Sequence, residues 1–178
     1  MKKLNRIQML KQAGTITYLG VKVYKAYKSK PYLKDPEITD KLAQIIIERI
    51  TPIVVEAYGI DMTHVTYSWG EACPYFYIGM ADGITSKFEA GNIHVHYFTP
   101  RLTKKGTALE PIFSIRDYAY GIAEIVSHEL CHVKQFQNGL DVANTPAAIY
   151  EIPAYTMGLI GHMKYKKEVN AILTELGL

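Results

Sequence analysis

The run IVSHELCHVKQFQNG, residues 125–139, constrains this chain more than any other segment. Ile122, Val126, Leu130 and Val133 recur at the three-and-four spacing of a helix that buries one face. Upstream, Ser114 followed by Asp117 has the form of a capping box, and Asn138-Gly139 supplies a left-handed stop. These signals predict one long helix from Ser114 to Gln137. The fold has to bury the rear of that helix and leave space at its front.

A helical wheel says what stands at the front. With His128 at 0°, His132 falls at about 40°, Glu129 at about 100°, Leu130 at about 200° and Cys131 at about 300°. The two imidazoles project together from adjacent turns, so both reach one cation. Glu129 flanks them, near enough to hold a water without being a ligand. Leu130 points into the core. Cys131 lies about 80° from the ligand direction and reads as a small apolar spacer rather than a ligand. The pattern HExxH thus supplies two nitrogen ligands and a general base, and neutral imidazoles suit a tetrahedral zinc with one position left open.

A third protein ligand is required. Six residues past His132 stands Asn138, so no third histidine follows at that spacing. Asp141 is one alternative, although it comes soon after the helix stop. Glu151 fits better, because the intervening residues are enough to turn at Gly139 and return on a second helix. Pro153 then sits near the first turn of that helix. Ala154, three after Glu151, is small enough to let the two helices approach.

HELCH at 128–132 followed by EIPAY at 151–155 resembles the zincin metallopeptidases, in the gluzincin branch whose third zinc ligand is a glutamate. That branch often carries an alanine three residues after the glutamate. The resemblance covers about residues 114 to 160. It implies a small sheet above the motif helix, whose lowest edge strand binds an extended substrate backbone. It also implies His128, His132 and Glu151 as ligands of one catalytic Zn2+, and Glu129 as the base that draws a proton from the zinc-activated water. The reaction implied is hydrolysis of peptide bonds in a peptide or protein substrate. Thermolysin-like members carry an aspartate four residues after the glutamate ligand, and here that position is Tyr155. The support around the ligands therefore differs. Tyr155 is instead the first candidate to donate to a developing oxyanion, ahead of Tyr150 and His162; a packed core tyrosine is the plain alternative.

Charge distribution raises a competing function. Residues 1–34 carry nine Lys or Arg and no acid, interleaved with Tyr18, Tyr24, Tyr27 and Tyr32, while the whole chain is only +3. Such a segment suits an anionic partner, either nucleic acid or a membrane surface, although a solvated charged face has the same composition. The alternative function is a nucleic-acid- or membrane-associated binding protein with a structural or vestigial metal site. Two cysteines, Cys73 and Cys131, make no disulfide framework, no apolar run is long enough to span a bilayer, and Gln8, Lys11 and Gln12 interrupt any signal-peptide core. A cytoplasmic protein is the expectation.

The remaining chain predicts an α+β fold in one domain over residues 1–178. Asp35-Pro36 opens a helix that Pro52 ends or kinks, with resumption to Tyr58 before Gly59. Strand-like runs follow at 62–69, 75–80 and 92–98, and a last helix at about 153–175. Residues 15–28 fit either a strand or a lysine-striped helix. His94 and His96 share one strand face, which makes them a second metal pair, cleft-lining residues of an edge strand, or simply two partly exposed histidines.

Overall fold

In a computed structural model, residues 36–72, 82–88, 91–99 and 115–178, with Thr17, are described. Apart from Thr17, the basic segment 1–34 and the ambiguous element at 15–28 lie outside the described residues, as do the expected strand 75–80, Cys73 and the Ser114 cap.

Those residues form α1 (Pro36–Tyr58), β1 (Val65–Ala72), β2 (Asp82–Lys87), β3 (Ile93–Thr99), α2 (Ile115–Gln137), a short 3-10 turn (Val142–Asn144), α3 (Ala147–Lys164) and α4 (Lys166–Glu175). The architecture of the described residues is α+β, four helices with a small mixed sheet.

Pro36 opens α1, and Leu42, Ile46, Ile50 and Val54 follow at helical spacing, all fully buried. Pro52 lies on the exposed side and is accommodated within the helix rather than ending it. In the sheet the order is β1-β3-β2, with β1 parallel and β2 antiparallel to β3. Alternation along β3 sends Ile93, Val95 and Tyr97 into the core. Gly83 and Thr85 of β2 pair with Tyr97 and Val95 and so share that inward face.

Among the described elements, the long helix α2 packs against each of the other three helices and against β2 and β3. Tyr118, Ile122, Val126, Leu130 and Val133 are buried behind it in one cluster with α1, β3 and α4. Each such side chain contributes about 1.5–3 kcal/mol on leaving water. The helix ends where expected. Gly139 takes φ +87°, Leu140 donates its N–H to the Gln135 carbonyl and Gly139 donates to Phe136, closing a Schellman turn that only a residue at ease with positive φ makes cheaply.

The C-terminal region differs from its sequence reading. A single helix from 153 becomes two, α3 and α4, with a break at Tyr165, and α3 starts six residues earlier. Pro146 is the N-cap, so Pro153 lies inside α3 instead of in its first turn. Glu151 is consequently held on regular helix with a turn of structure ahead of it. Among the described residues no helix is long and apolar enough to cross a membrane.

Candidate metal centre

Two antiparallel helices build the site. His128 and His132 come from consecutive turns of α2, and both rings are almost fully buried. Glu151 arrives from α3, half-buried, at the opposite wall. Its Oε2 lies 3.5 Å from His128 Nε2 and 3.6 Å from His132 Nε2. The two Nε2 atoms are 3.1 Å apart. Ligand distances of about 2.0–2.1 Å and a tetrahedral angle place neighbouring donor atoms about 3.3 Å apart. The three donors therefore already stand near the spacing of three corners of a metal tetrahedron, and this group could hold a metal ion.

Small residues set the helix separation. Ala154 is fully buried, as expected of its place between the helices. Gly158 and Gly161 extend the same role along α3. A Cβ at Gly158 would stand 3.1 Å from the Glu124 carbonyl, and one at Gly161 would press on Ser127. Neither glycine was signalled by the spacing argument for Ala154, although Ala154, Gly158 and Gly161 recur at four and three residues along one face.

His132 is oriented from outside the ligand set. Its Nδ1 lies 2.8 Å from Gln135 Oε1, and Gln135 Nε2 donates to the Tyr150 carbonyl at 2.8 Å. Because an amide oxygen only accepts, Nδ1 carries a hydrogen, and in the neutral ring Nε2 is left to present its lone pair to the centre. Gln135, three residues past His132, was readable from the sequence by the same wheel that paired the histidines.

Charge follows geometry. Burial alone would raise the Glu151 carboxyl, but hydrogen bonding and charge from both imidazoles outweigh it and hold the group down at about 2. Burial likewise pushes the His132 imidazole down, yet Glu151, Glu129 and Gln135 together leave it above its ordinary value.

Glu129 stands beside the triad with Oε1 3.9 Å from His128 Nε2. Its side chain is buried, and Thr85 of β2 donates to its Oε2 at 2.6 Å. All four residues line one cleft of about 380 Å³, along with Tyr150, Tyr155 and an apolar wall that includes Phe136 and Leu140.

The remaining candidates separate clearly. The Tyr155 ring packs edge-on against His128 at 4.5 Å and lines the cleft, and Tyr150 stands 5.9 Å from the His132 ring. His162 is elsewhere, paired with buried Glu124 at 3.4 Å and packed on Tyr120. Asp141, the alternative third ligand, caps the 3-10 turn through Ala143 and Asn144 and is outside the triad. Cys131 is half-buried against the core cluster, within electrostatic reach of Tyr58 of α1 as well as Glu151. Burial, with the charges of Glu129 and Glu151, pushes its thiol up to about 11.

His94 and His96 lie on the central strand, not an edge, and face away from the core. Thr66, Ser68 and the Gly70 carbonyl engage their ring nitrogens at 2.6–3.1 Å. They are sheet-face histidines outside the cleft lining.

No family model, curated protein or solved structure matches this chain. Its function has to be argued from these residues.

Proposed function

We propose that this chain is a zinc-dependent metallopeptidase of zincin-like build. The observation that carries the reading is the convergence of His128, His132 and Glu151 with a fourth, non-ligating carboxylate, Glu129, in the same cleft. A purely structural site prefers four closed protein ligands, whereas three ligands beside a buried acid fit a site that keeps one position for water. Both nitrogen donors and the carboxylate suit zinc among first-row ions.

Zinc, when bound, supplies Lewis acidity, enough to bring the pKa of a water to about 7. The chain's own residues do the rest. Glu129 accepts the proton of that water and returns it to the leaving nitrogen of the peptide. Gln135 fixes the tautomer and aim of His132. Tyr155, on the cleft wall against His128, is placed to donate to charge developing on the carbonyl oxygen. Strand β2 borders the cleft at the edge of the sheet among the described residues, and an extended peptide can pair alongside it.

Metal analysis beside hydrolysis of a quenched-fluorescence peptide mixture tests the reading. We expect one zinc per chain, retained in Glu129→Gln with hydrolysis lost, and weakened in Glu151→Ala. Hydrolysis surviving in Glu129→Gln rejects the mechanism, and full metal retention in Glu151→Ala rejects the ligand set.

A further inference from the structure

The inner face of β2 touches one residue of α2 at two successive inward positions. Gly83 and Thr85 both meet Glu129. A Cβ at Gly83 would lie 2.7 Å from Glu129 Cγ and 3.1 Å from its Oε1, so the strand passes too close to this side chain for any residue but glycine to fit without a shift. Two residues on, Thr85 Oγ1 reaches Glu129 Oε2 at 2.6 Å and the Glu129 backbone carbonyl at 3.2 Å. The hydroxyl has one hydrogen for two acceptors. The shorter contact, to the carboxylate oxygen, takes it, because 2.6 Å is the length of a strong hydroxyl–carboxylate bond and 3.2 Å that of a weak one.

We infer that Thr85 is a positioning residue for Glu129, and that it divides the work of the two carboxylate oxygens. Oε2 is anchored to the strand, and Oε1 is thereby turned toward the His128, His132 and Glu151 group, at 3.9 Å from His128 Nε2. The inference rests on the metallopeptidase reading for its chemistry, but the anchoring itself is a property of these two side chains.

Three observations support a dedicated arrangement. Glu129 is only 3% exposed, so its carboxylate needs a donor supplied by the protein. A β-branched threonine on a strand is stiff at χ1, which makes its hydroxyl a fixed donor where serine would be a looser one. Thr85 pairs across the sheet with Val95, a core residue that is 1% exposed, so the donor is mounted beside the core on the inward face of the sheet. Gly83 completes the arrangement by leaving the space in which the carboxylate stem lies. The base is therefore carried by its helix and held in aim from the sheet.

The test uses the full chain loaded with zinc and a quenched-fluorescence peptide mixture, with Thr85→Val, Thr85→Ser and Glu129→Gln. Thr85→Val should keep one zinc per chain and its KM, while kcat falls about 10–100-fold, the scale of a misaimed catalytic group. Thr85→Ser should recover most of that loss. A second readout needs no turnover. In metal-free protein, Thr85→Val should lower the melting temperature more in the Glu129 background than in Glu129→Gln, because the short bond to Oε2 is made to a carboxyl group in only one of them. Equal thermal shifts in both backgrounds, or a Thr85→Val kcat within twofold of the parent while Glu129→Gln is inactive, overturn the positioning role and leave the metallopeptidase reading standing. An active Glu129→Gln protein removes the base itself, and this inference with it.

Discussion

Gly161 of α3 lies so close to Ser127 of α2 that a methyl group on the glycine would overlap the Ser127 hydroxyl and stand 2.7 Å from its Cβ. Ser127 is fully buried and its hydroxyl donates to the Ala123 carbonyl at 2.9 Å, so it has no easy way to retreat. Ten residues earlier on α3 is Glu151. The spacing of the two helices and the geometry of the metal donors are set by the same small residues.

Gly161→Ala should therefore destabilise the protein by about 1–3 kcal/mol, since overpacking outweighs the roughly 1 kcal/mol that alanine gains over glycine in a helix. Zinc affinity should fall with it. Thermal melts and metal titration check both effects. Adding Ser127→Gly should restore much of each, and an unchanged melting temperature in the single variant contradicts the packing account.

Gln135→Leu should weaken metal binding about 10–100-fold, the usual scale for removing the group that orients a ligand histidine. The variant loses the acceptor for His132 Nδ1 and also the tie to the Tyr150 carbonyl. Competition against a chromophoric chelator measures the change. Binding at parental strength shows that His132 is aimed by its ring packing alone.

Cys131 should alkylate slowly and take no part in metal binding. With its thiol at about 11, the thiolate fraction at pH 8 is about 100-fold below that of an ordinary exposed cysteine. Iodoacetamide labelling of the folded protein, against the same protein in denaturant, gives the ratio. Cys131→Ser should bind zinc as the parent does.

The metal-free protein should show a pH window of stability traceable to Glu151 and His132. Glu151 is held below its ordinary 4.5, so its contribution is present above that value and is lost as the solution is acidified toward about 2. His132 is raised above its ordinary 6.5, so its contribution is full below 6.5 and is lost as pH rises through the folded value. The two overlap between 4.5 and 6.5. Urea denaturation of metal-free parent and Glu151→Gln should differ most in that window. A difference that grows steadily up to pH 9 contradicts the assignment.

The helix bearing HExxH was readable because every local signal agreed: rear apolar spacing at Ile122, Val126, Leu130 and Val133, and a glycine stop at 139. Glu151 was readable because chain length and a small residue limited the choices. Strand β2 was not. DGITSK lacks the dense β-branched alternation that marks a strand, and its functional positions are a glycine and a threonine whose value lies in what they approach. The start of α3 was misplaced because Pro153 looks like a first-turn proline, while Pro146 does that work and Pro153 is tolerated inside the helix. Gly158 and Gly161 follow Ala154 at helical spacing, but what each glycine makes room for, Glu124 and Ser127 of α2, is visible only in the packed structure.

Glu151 belongs to one helix and both histidines to another, with the turn at Gly139 and the capped segment Val142–Asn144 between them. An ion held by this group would therefore be a clasp across two elements. Seating it and docking α3 against α2 become one linked equilibrium, so free metal at a hundred times its dissociation constant adds about 2.7 kcal/mol to the folded state. A chelator would then act on the metal-loaded protein as a mild denaturant, and the amides of α3 are the place where hydrogen exchange would report it first.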